Sequence, residues 1–320
     1  MTVYDFIVNQ ALNGGRTKAL AFTALRQAVL KVRDPVVEYR VGTRTLRLPL
    51  SHELPFFRAW HPTYSENLRR LATFVRAEDG SLRMIDVGAN VGDSFFLSDP
   101  QPDDRFLLVE GDERYFELLR ENTAREPNVT RVRLLVSDHT HVASVGVSAA
   151  QGTARIVEGS AEARFVALDD VIDDHPQLGT CNLLKTDVDG YDSKVLAGAK
   201  RLLRSAAPVL FFEHYPEALD AVGEDDMHVF GPLDELGYRR LLFYDNVGFL
   251  LGVVEAADRR AIADALLYIR QRRGYYDVCA FHESRRESME RFVAEERSFY
   301  ASARLTSPLR RVSTVLGATA

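Results

Sequence analysis

Residues 83–97, "RMIDVGANVGDSFFL", join a short apolar run to an acid, Asp86, and then to two glycines, Gly88 and Gly92, on either side of Asn90. An apolar run that passes through a glycine turn into a helical pattern is typical of a buried strand that turns sharply into a helix. Glycine has no Cβ, so the backbone of such a turn can come close to a ligand. We therefore expect a strand of an α/β sheet here, bordered by a ligand site.

Further short apolar runs without alternation follow this stretch. They read RFLLVEGD, VRLLVSD, NLLKTDVDG and PVLFFEH, and helical patterns such as ERYFELLRENTA and DSKVLAGAKRLLRSA lie between them. Strands buried on both faces have this composition, and their alternation with helices predicts a doubly wound α/β domain with a mostly parallel sheet. RRLLFYDNVGFLLGVV predicts a strand and its return, with a turn at Asp245 and Asn246. Residues 138–166 are too rich in small and β-forming residues for a crossover helix, so we expect a β insertion.

The regions that flank the predicted domain carry their own patterns. TKALAFTALRQAVLKVR is an amphipathic helix that ends near Asp34 and Pro35, VVEYRVGTRTLRLPL is a hairpin, and TYSENLRRLATFV has helical spacing. We divide the chain into an extension at 1–50, a catalytic domain at 51–285 and a helical tail at 286–320. The apolar stripe of the first helix favours packing on the domain or on a second subunit, and a homodimer is preferred over a monomer.

Composition narrows the class of protein. The chain has 320 residues, 46% hydrophobic and 27% charged, as in a folded globular protein. Its formal net charge of -6 argues against a nucleic-acid partner. No run approaches the roughly 18 apolar residues of a membrane span, and the first residues do not resemble a secretory signal. With only Cys181 and Cys279 in apolar runs, reduced thiols and a cytoplasmic location are expected.

Polar side chains, most of them acidic, follow the predicted strands, where ligands bind in open parallel sheets. They are Asp86, Glu110, Asp138, Asp187 with Asp189, and Glu213 with His214. The turn G-A-N-V-G lacks the G-x-G-x-x-G spacing of a pyrophosphate site, which disfavours a dinucleotide. Glu110, about 20 residues further on, can accept hydrogen bonds from two ribose hydroxyls. An adenosine without a pyrophosphate fits this pattern, and it predicts S-adenosylmethionine.

Several stretches together resemble one family. IDVGANVGDS, LLVEGDERYFELLREN, VALDDVI, LLKTDVDGYDSKVLAGAKRLL and PVLFFEHYP are similar to the FkbM family of S-adenosylmethionine-dependent methyltransferases, which are Rossmann-like class I enzymes. The resemblance runs from about residue 50 to residue 282. KTDVDGYD stands where the family has K-I-D-V-E-G-x-E, and EG replaces its E-P. These departures bear on the substrate and leave the fold unchanged.

The resemblance implies a seven-stranded sheet of order 3-2-1-4-5-7-6, with an antiparallel strand seven that we assign to YYDVCAF. It also implies O-methylation of a hydroxyl on a small molecule, such as a sugar, a polyketide or another secondary metabolite. For the cofactor, we place Asp86, Gly88, Asn90 and Gly92 around its methionine part. Glu110 is assigned to its ribose, Ser137 and Asp138 to its adenine edge, and Asp187 to the side of the methyl group. Ordinary turns at the glycine stretch and at Ser137 are the competing interpretation.

Methyl transfer from a sulfonium is an in-line displacement, so the enzyme aligns the acceptor and removes its proton. We predict His214 as the base, with Asp187 orienting the acceptor hydroxyl and Lys185 tuning the pKa of Asp187. Asp187 itself is the alternative base, and a structural contact with a loop carbonyl is the alternative for His214. A structural ion pair is the alternative for Lys185. The acceptor pocket is assigned to His61, Tyr64, Asp189, Tyr191, Glu213 and Tyr215. We predict no metal, because no tight ligand spacing appears. Two rival hypotheses stay open, an NAD-dependent oxidoreductase and a non-catalytic binding or scaffold protein.

Overall fold

The computed structural model describes residues 3–42, 44–150 and 153–302. In these residues the largest sheet has eight strands. In their order across the sheet they are β13 (Leu250–Glu255), β12 (Arg240–Asp245), β14 (Tyr276–Phe281), β11 (Val209–His214), β10 (Leu183–Thr186), β3 (Arg83–Val87), β4 (Arg105–Val109) and β5 (Val129–Val132). The strands from β11 to β5 are parallel, while β14 is antiparallel to both of its neighbours.

This arrangement confirms the predicted strand order, including YYDVCAF as the antiparallel strand seven. The sheet differs from the prediction by an eighth strand, β13, which extends the edge beyond β12. Strands β12 and β13 form the hairpin that the sequence predicts at Asp245. The Asp245 Oδ1 atom accepts hydrogen bonds from the backbone N–H groups of Val247 at 3.1 Å and Phe249 at 2.8 Å, which holds the turn.

The third strand of the sheet is not where the sequence places it. VRLLVSD was expected to be one strand that ends at Asp138. Instead β5 ends at Val132, and the chain leaves the sheet before β6 (Leu135–Ser137) begins. Asp138 therefore follows a strand of a second sheet, and its position at the edge of the main sheet is a prediction that was wrong.

The predicted β insertion is present. Its four strands, β6, β7 (His141–Ala150), β8 (Thr153–Glu158) and β9 (Ala161–Ala167), form a second sheet of order β6-β9-β7-β8. The β7–β8 hairpin accounts for the small and β-branched residues of this segment. The two residues of its turn, 151 and 152, lie outside the described residues.

Thirteen α-helices are present in the described part of the chain. They are α1 (Val3–Asn13), α2 (Arg16–Leu30), α3 (Leu54–Trp60), α4 (Glu66–Asp79), α5 (Asp93–Leu97), α6 (Glu113–Asn122), α7 (Leu168–Asp174), α8 (Asp192–Ala197), α9 (Lys200–Ala206), α10 (Pro216–Ala221), α11 (Phe230–Glu235), α12 (Arg259–Arg272) and α13 (Arg286–Ser302). Short 3-10 turns lie at Pro176–Leu178 and Glu283–Arg285. The predicted tail continues through residues 303–320, which are outside the described residues.

The N-terminal extension contains the predicted helix, α2, and the predicted hairpin of β1 (Val36–Val41) and β2 (Arg44–Pro49). It also contains α1, which the sequence analysis did not separate. Helix α2 packs on the rest of the chain through Arg26, whose Nε donates to the Leu50 carbonyl oxygen at 2.8 Å and whose Nη2 lies 3.0 Å from Glu53 Oε1. Buried donors and acceptors of this kind fix the position of a helix.

The main sheet is covered on both faces, which explains its uninterrupted apolar strands. On the first face, Met84, Phe106 and Phe211 pack with side chains of the β1–β2 hairpin, α4 and α13. On the second face, Ile85 and Phe212 pack with side chains of α7, α9 and α12. Successive side chains of a strand point to opposite faces of the sheet, so residues two apart lie on the same face up to the end of the strand. This alternation decides which polar residues reach the site.

Both cysteines, Cys181 and Cys279, are free and buried. Among the described residues, none of the helices combines the length and the apolar character that crossing a membrane requires.

Candidate active site

A cavity of about 630 Å³ opens at the carboxyl ends of β3, β4, β10 and β11. Its volume lies in the range of about 300–1,000 Å³ that is usual for small-molecule sites. Ten of the residues that the sequence assigned to the site line it: Tyr64, Gly88, Asn90, Glu110, Lys185, Asp187, Asp189, Tyr191, Glu213 and Tyr215. The structure thus brings together the ends of four parallel strands, as the sequence predicts.

The glycine turn after β3 forms part of the cavity wall. Gly88 has a φ of +81°, and a Cβ built on it would lie 2.0 Å from the carbonyl oxygen of Asp187. Only glycine fits this approach of two backbones without a rearrangement. Asn90 also has a positive φ, of +49°, and its backbone N–H donates to Glu110 Oε2 at 2.8 Å. The turn therefore holds the Glu110 carboxylate in place at the edge of the cavity.

Glu110 follows β4 and is 7% exposed. Its Oε1 accepts a second hydrogen bond, of 2.7 Å, from the backbone N–H of Asp112. Each carboxylate oxygen has a further lone pair, so the group can still accept two hydrogen bonds from a ligand. Burial raises the pKa of Glu110 to about 7, against the opposing effect of the two N–H donors. This geometry suits a pair of neighbouring hydroxyls.

Lys185 of β10 lies opposite Asp86 of β3 in the parallel pairing of the two strands. Its Nζ is 2.9 Å from Asp86 Oδ1 and 3.5 Å from Asp187 Oδ2. Burial alone would lower the pKa of Lys185, but the charges of Asp86 and Asp187 outweigh it and raise that pKa. Lys185 therefore stays protonated and links a fully buried carboxylate to one whose side chain is 50% exposed in the cavity.

Two further carboxyl groups lie at the opposite end of the cavity. Glu213 of β11 and Asp277 of β14 are direct partners in an antiparallel pair, and both line the cavity. Asn67 Nδ2 donates to Asp277 Oδ2 at 2.9 Å, while Glu213 Oε1 is buried without a hydrogen-bond partner among the described residues. Burial raises the pKa of Asp277 to about 7 and raises the pKa of Glu213 well above its usual value.

Aromatic rings complete this second end. The side chains of Tyr64 and Tyr275 hydrogen-bond to each other. The Tyr64 ring centroid is 5.3 Å from that of Phe57, and the Tyr275 centroid is 6.0 Å from that of Tyr215. Burial raises the pKa of both Tyr64 and Tyr275 above the usual tyrosine value, so both stay protonated at neutral pH. We call the set Glu213, Asp277, Tyr64 and Tyr275 the acceptor end.

His214 does not line the cavity, although it follows Glu213 directly. Its side chain lies on the second face of the sheet with Phe212, and its ring centroid is 5.1 Å from that of Phe230. Burial lowers the pKa of His214 to about 4, and Nε2 has no hydrogen-bond partner among the described residues. The alternation of side chains along β11 therefore removes His214 from the acceptor, and the prediction that it is the base is not supported.

Five other assigned residues also lie outside the wall of the cavity. Asp86 is fully buried beneath it and bonds Lys185. Gly92 is the N-cap of α5 with a φ of +90°. Ser137 donates to Asp138 Oδ1 at 2.9 Å, both at the end of β6. The His61 ring is 6.3 Å from that of Phe57, outside the wall. The sequence analysis placed these five residues in contact with a ligand. In the structure their contacts are those of side-chain packing and of turns.

Several residues that line the cavity were missed from the sequence. Leu134, Leu135 and Val136 replace Ser137 and Asp138 beside Glu110. They approach Gly111 closely, since a Cβ built there would lie 2.3 Å from Leu135 Cδ2. Among the other missed residues are His52, Asn67, Asp93, Asp112, Tyr275 and Asp277. An available signal was the glycine of "VEGD", because a glycine after a buried strand often marks a close backbone approach.

A metal ion was not expected, and the described residues contain no group of three or more His, Cys, Asp or Glu side chains arranged to hold one. The cavity nevertheless suits S-adenosylmethionine. It offers Glu110 for ribose hydroxyls, the Gly88 turn for a close approach, and apolar side chains from Leu134 to Val136 for a flat ring. These are features of this chain's own residues, independent of any relative.

Comparison with solved structures gives only remote similarity. The FkbM methyltransferase from Methylobacillus flagellatus KT is 18% identical, with 47% of this chain and 37% of that chain covered and a TM-score of 0.34. A putative O-methyltransferase from Klebsiella pneumoniae is 11% identical over 68% of this chain and 80% of that chain, with a TM-score of 0.39. TomG, an O-methyltransferase from Streptomyces achromogenes, is 11% identical over 68% and 79%, with a TM-score of 0.39. These TM-scores are too low to support an argument. No curated protein matches the chain significantly.

The family model described as the methyltransferase FkbM domain matches residues 86–240, just under half of the chain. The matched segment contains the glycine turn, Glu110, Lys185, Asp187 and Glu213. It confirms the resemblance that the sequence motifs showed, and it supports S-adenosylmethionine as the cofactor. Residues 86–240 of this chain are therefore similar to the FkbM domain of methyltransferases.

Proposed function

We propose that this protein transfers the methyl group of S-adenosylmethionine to a hydroxyl of a small molecule, such as a sugar, a polyketide or another secondary metabolite. The observation that carries this proposal is that Glu110 and the acceptor end, with Asp187 between them, line the same cavity. A cofactor and an acceptor can occupy such a cavity together. We retain 51–285 as the catalytic domain, because Tyr64 and Asp277 line the same cavity from outside the family match.

Glu110 would hold the two ribose hydroxyls of the cofactor, because both of its oxygens are fixed by backbone donors and still have free lone pairs. The Gly88 turn would let the cofactor approach the backbone, and Leu134, Leu135 and Val136 would contact the adenine. Asp86 would not contact the cofactor; it accepts a hydrogen bond from Lys185 and so positions that side chain. This assignment moves the adenine contact from Ser137 and Asp138 to the apolar residues before them.

The bound cofactor supplies a methyl group that is activated by its attachment to a positively charged sulfur. The chain then has to align the acceptor oxygen with that methyl group and take up the proton that the hydroxyl loses. We assign the proton to Asp187, whose side chain is half exposed in the cavity and is held by Lys185. Asp187 thereby takes the role that the sequence analysis gave to His214.

A methyl-transfer assay tests the proposal. The protein is incubated with S-adenosylmethionine carrying a labelled methyl group and a panel of small hydroxyl compounds, and labelled methyl ethers are identified by mass spectrometry. We expect transfer to oxygen in at least one compound and loss of that transfer in Asp187→Asn. Glu117→Gln, which changes an exposed carboxylate on α6, serves as the control. Transfer to carbon or nitrogen alone, or tight binding of NAD without binding of S-adenosylmethionine, would contradict the proposal.

A further inference from the structure

The acceptor end carries a charge arrangement that the fold alone does not require. Glu213 and Asp277 are opposite each other in the β11–β14 ladder. Side chains in such positions share a face with Cβ atoms about 4.5–5.5 Å apart, and like charges there are destabilising. Among the described residues neither carboxyl group forms an ion pair, because the Lys185 ammonium is engaged by Asp86 and Asp187. A positively charged ligand would favour the ionised form of both carboxyl groups and stabilise them.

The rest of the described cavity wall strengthens this argument. Acidic side chains clearly outnumber basic ones, which are Lys185 and Arg273. A cavity with this imbalance disfavours a phosphorylated or carboxylated acceptor and favours a cationic one. Glu213 Oε1 is buried without a hydrogen-bond partner among the described residues, and burial raises the pKa of both carboxyl groups, an effect that a bound cation would oppose.

The aromatic rings distinguish an ammonium group from a metal ion. Tyr64 and Tyr275 line the cavity beside the two carboxyl groups and are linked by a hydrogen bond. Carboxylates combined with aromatic faces are a usual environment for an ammonium group, which gains from both. The described residues contain no group of three or more His, Cys, Asp or Glu side chains arranged to hold a metal ion, whereas a protonated amine needs only a few acceptors.

We propose that Glu213, Asp277, Tyr64 and Tyr275 bind a protonated amine of the acceptor, so that the substrate carries both an ammonium group and the hydroxyl that is methylated. The inference rests on the proposed function. A protonated amine has no lone pair and cannot accept the methyl group, so the hydroxyl remains the nucleophile. The ammonium would fix the acceptor where β11 ends and β14 begins, with its hydroxyl toward Asp187, which follows the neighbouring β10.

Three probes of one size and different charge test the site: benzylamine, benzyl alcohol and benzoate. Their affinities for the full chain are measured by NMR titration at pH 8 with S-adenosylhomocysteine bound. We expect benzylamine to bind at least about tenfold more tightly than the alcohol, as a charged hydrogen bond provides, and benzoate to bind worst. Equal binding of benzylamine and benzyl alcohol by the native protein would overturn the inference, without reference to any variant.

Variants locate the site. Glu213→Gln and Asp277→Asn should each weaken benzylamine about tenfold while changing benzyl alcohol less than about twofold. The control Glu117→Gln removes one negative charge from the exposed surface of α6 and should change neither affinity. An undiminished preference for the amine in both folded variants would place the cation elsewhere. Displacement of benzylamine by millimolar magnesium chloride in the native protein, but not in Glu213→Gln, would show a metal site and overturn the assignment.

Failure of this inference can be told apart from failure of the proposed function. Calorimetry with S-adenosylhomocysteine is carried out on the same protein before the probes are added. If that compound binds and the three probes bind equally, the ammonium site alone is overturned. If S-adenosylhomocysteine does not bind, the proposed function is overturned. The ammonium site would still be supported if the native protein prefers benzylamine and Glu213→Gln abolishes that preference.

Discussion

Replacement of Glu110 by alanine removes the group that we assign to the ribose. The carboxylate would accept hydrogen bonds from two hydroxyls, and each bond to a charged acceptor contributes about 1.5–3 kcal/mol. The lower bound for two such bonds, about 3 kcal/mol, corresponds to roughly a hundredfold weaker binding of the cofactor. The backbone N–H groups of Asn90 and Asp112 lose the same acceptor with and without cofactor, so this loss largely cancels in the affinity.

Calorimetric titration with S-adenosylmethionine measures the effect directly. Native protein, Glu110→Ala and the control Glu117→Ala are compared at pH 8 after their unfolding curves show that each is folded. The control removes a half-exposed carboxylate of α6 outside the cavity and should leave the dissociation constant unchanged. A Glu110→Ala protein that is folded and binds the cofactor as tightly as the native protein would show that the ribose lies elsewhere.

The pH dependence of the same titration gives a second test of Glu110. Because burial raises its pKa to about 7, the group is ionised at pH 8 and mostly protonated at pH 6. Only the ionised form accepts both hydroxyls, so affinity should fall as the pH falls, by about tenfold between pH 8 and pH 6. Glu110→Ala should lose this dependence. A native protein whose affinity is flat over this range would contradict the assignment.

Four other substitutions or deletions follow from the same structure. His214→Leu should keep turnover within about threefold of native, because the His214 ring packs on Phe230 outside the cavity. A 10²-fold or greater loss of turnover in a steady-state assay would instead show that His214 is the base. Asp187→Asn should lower turnover by about 10²- to 10⁴-fold with little change in cofactor affinity, and calorimetry beside the assay separates the two effects. Gly88→Ala, whose Cβ would lie 2.0 Å from a carbonyl oxygen, should destabilise the fold by more than about 2 kcal/mol in urea unfolding, and an unchanged midpoint would refute the close approach. Deletion of residues 1–33 removes the Arg26 hydrogen bonds and should lower the unfolding midpoint, while sedimentation reports whether this region also joins two subunits.

The strand order could be predicted because the strands of a parallel sheet are buried on both faces and stand out as apolar runs. The same runs do not show where a strand leaves the sheet. Between Val132 and Leu135 no glycine or proline marks the break, so residues 132–138 were read as one strand, although β5 ends at Val132 and β6 begins at Leu135. Helices α8 and α9 were likewise read as one, although Gly198 approaches Ser137 so closely that a Cβ there would lie 2.2 Å from its carbonyl oxygen. Tertiary contacts decide both breaks.

The site was predicted where it depends on strand ends and was missed where it depends on side-chain direction. In "VLFFEH" two phenylalanines precede Glu213 and His214, so the pattern does not reveal which of the two polar residues faces the cavity. The structure shows that Glu213 does, since it shares a face with Phe211. Asn67 and Asp277 are 210 residues apart in sequence, and no local pattern links them. Only the antiparallel strand β14 brings Asp277 to the acceptor end.

The central claim is that one cavity holds the ribose at Glu110 and presents the reacting center of the cofactor to Asp187. A crystal structure of the full chain with S-adenosylhomocysteine tests this most directly. The account predicts both ribose hydroxyls within about 2.6–3.2 Å of the Glu110 carboxylate oxygens, the adenine against Leu134 to Val136, and the sulfur atom on the side of Asp187. A nucleoside bound away from Glu110, or a sulfur atom that faces away from Asp187 and the acceptor end, would contradict it.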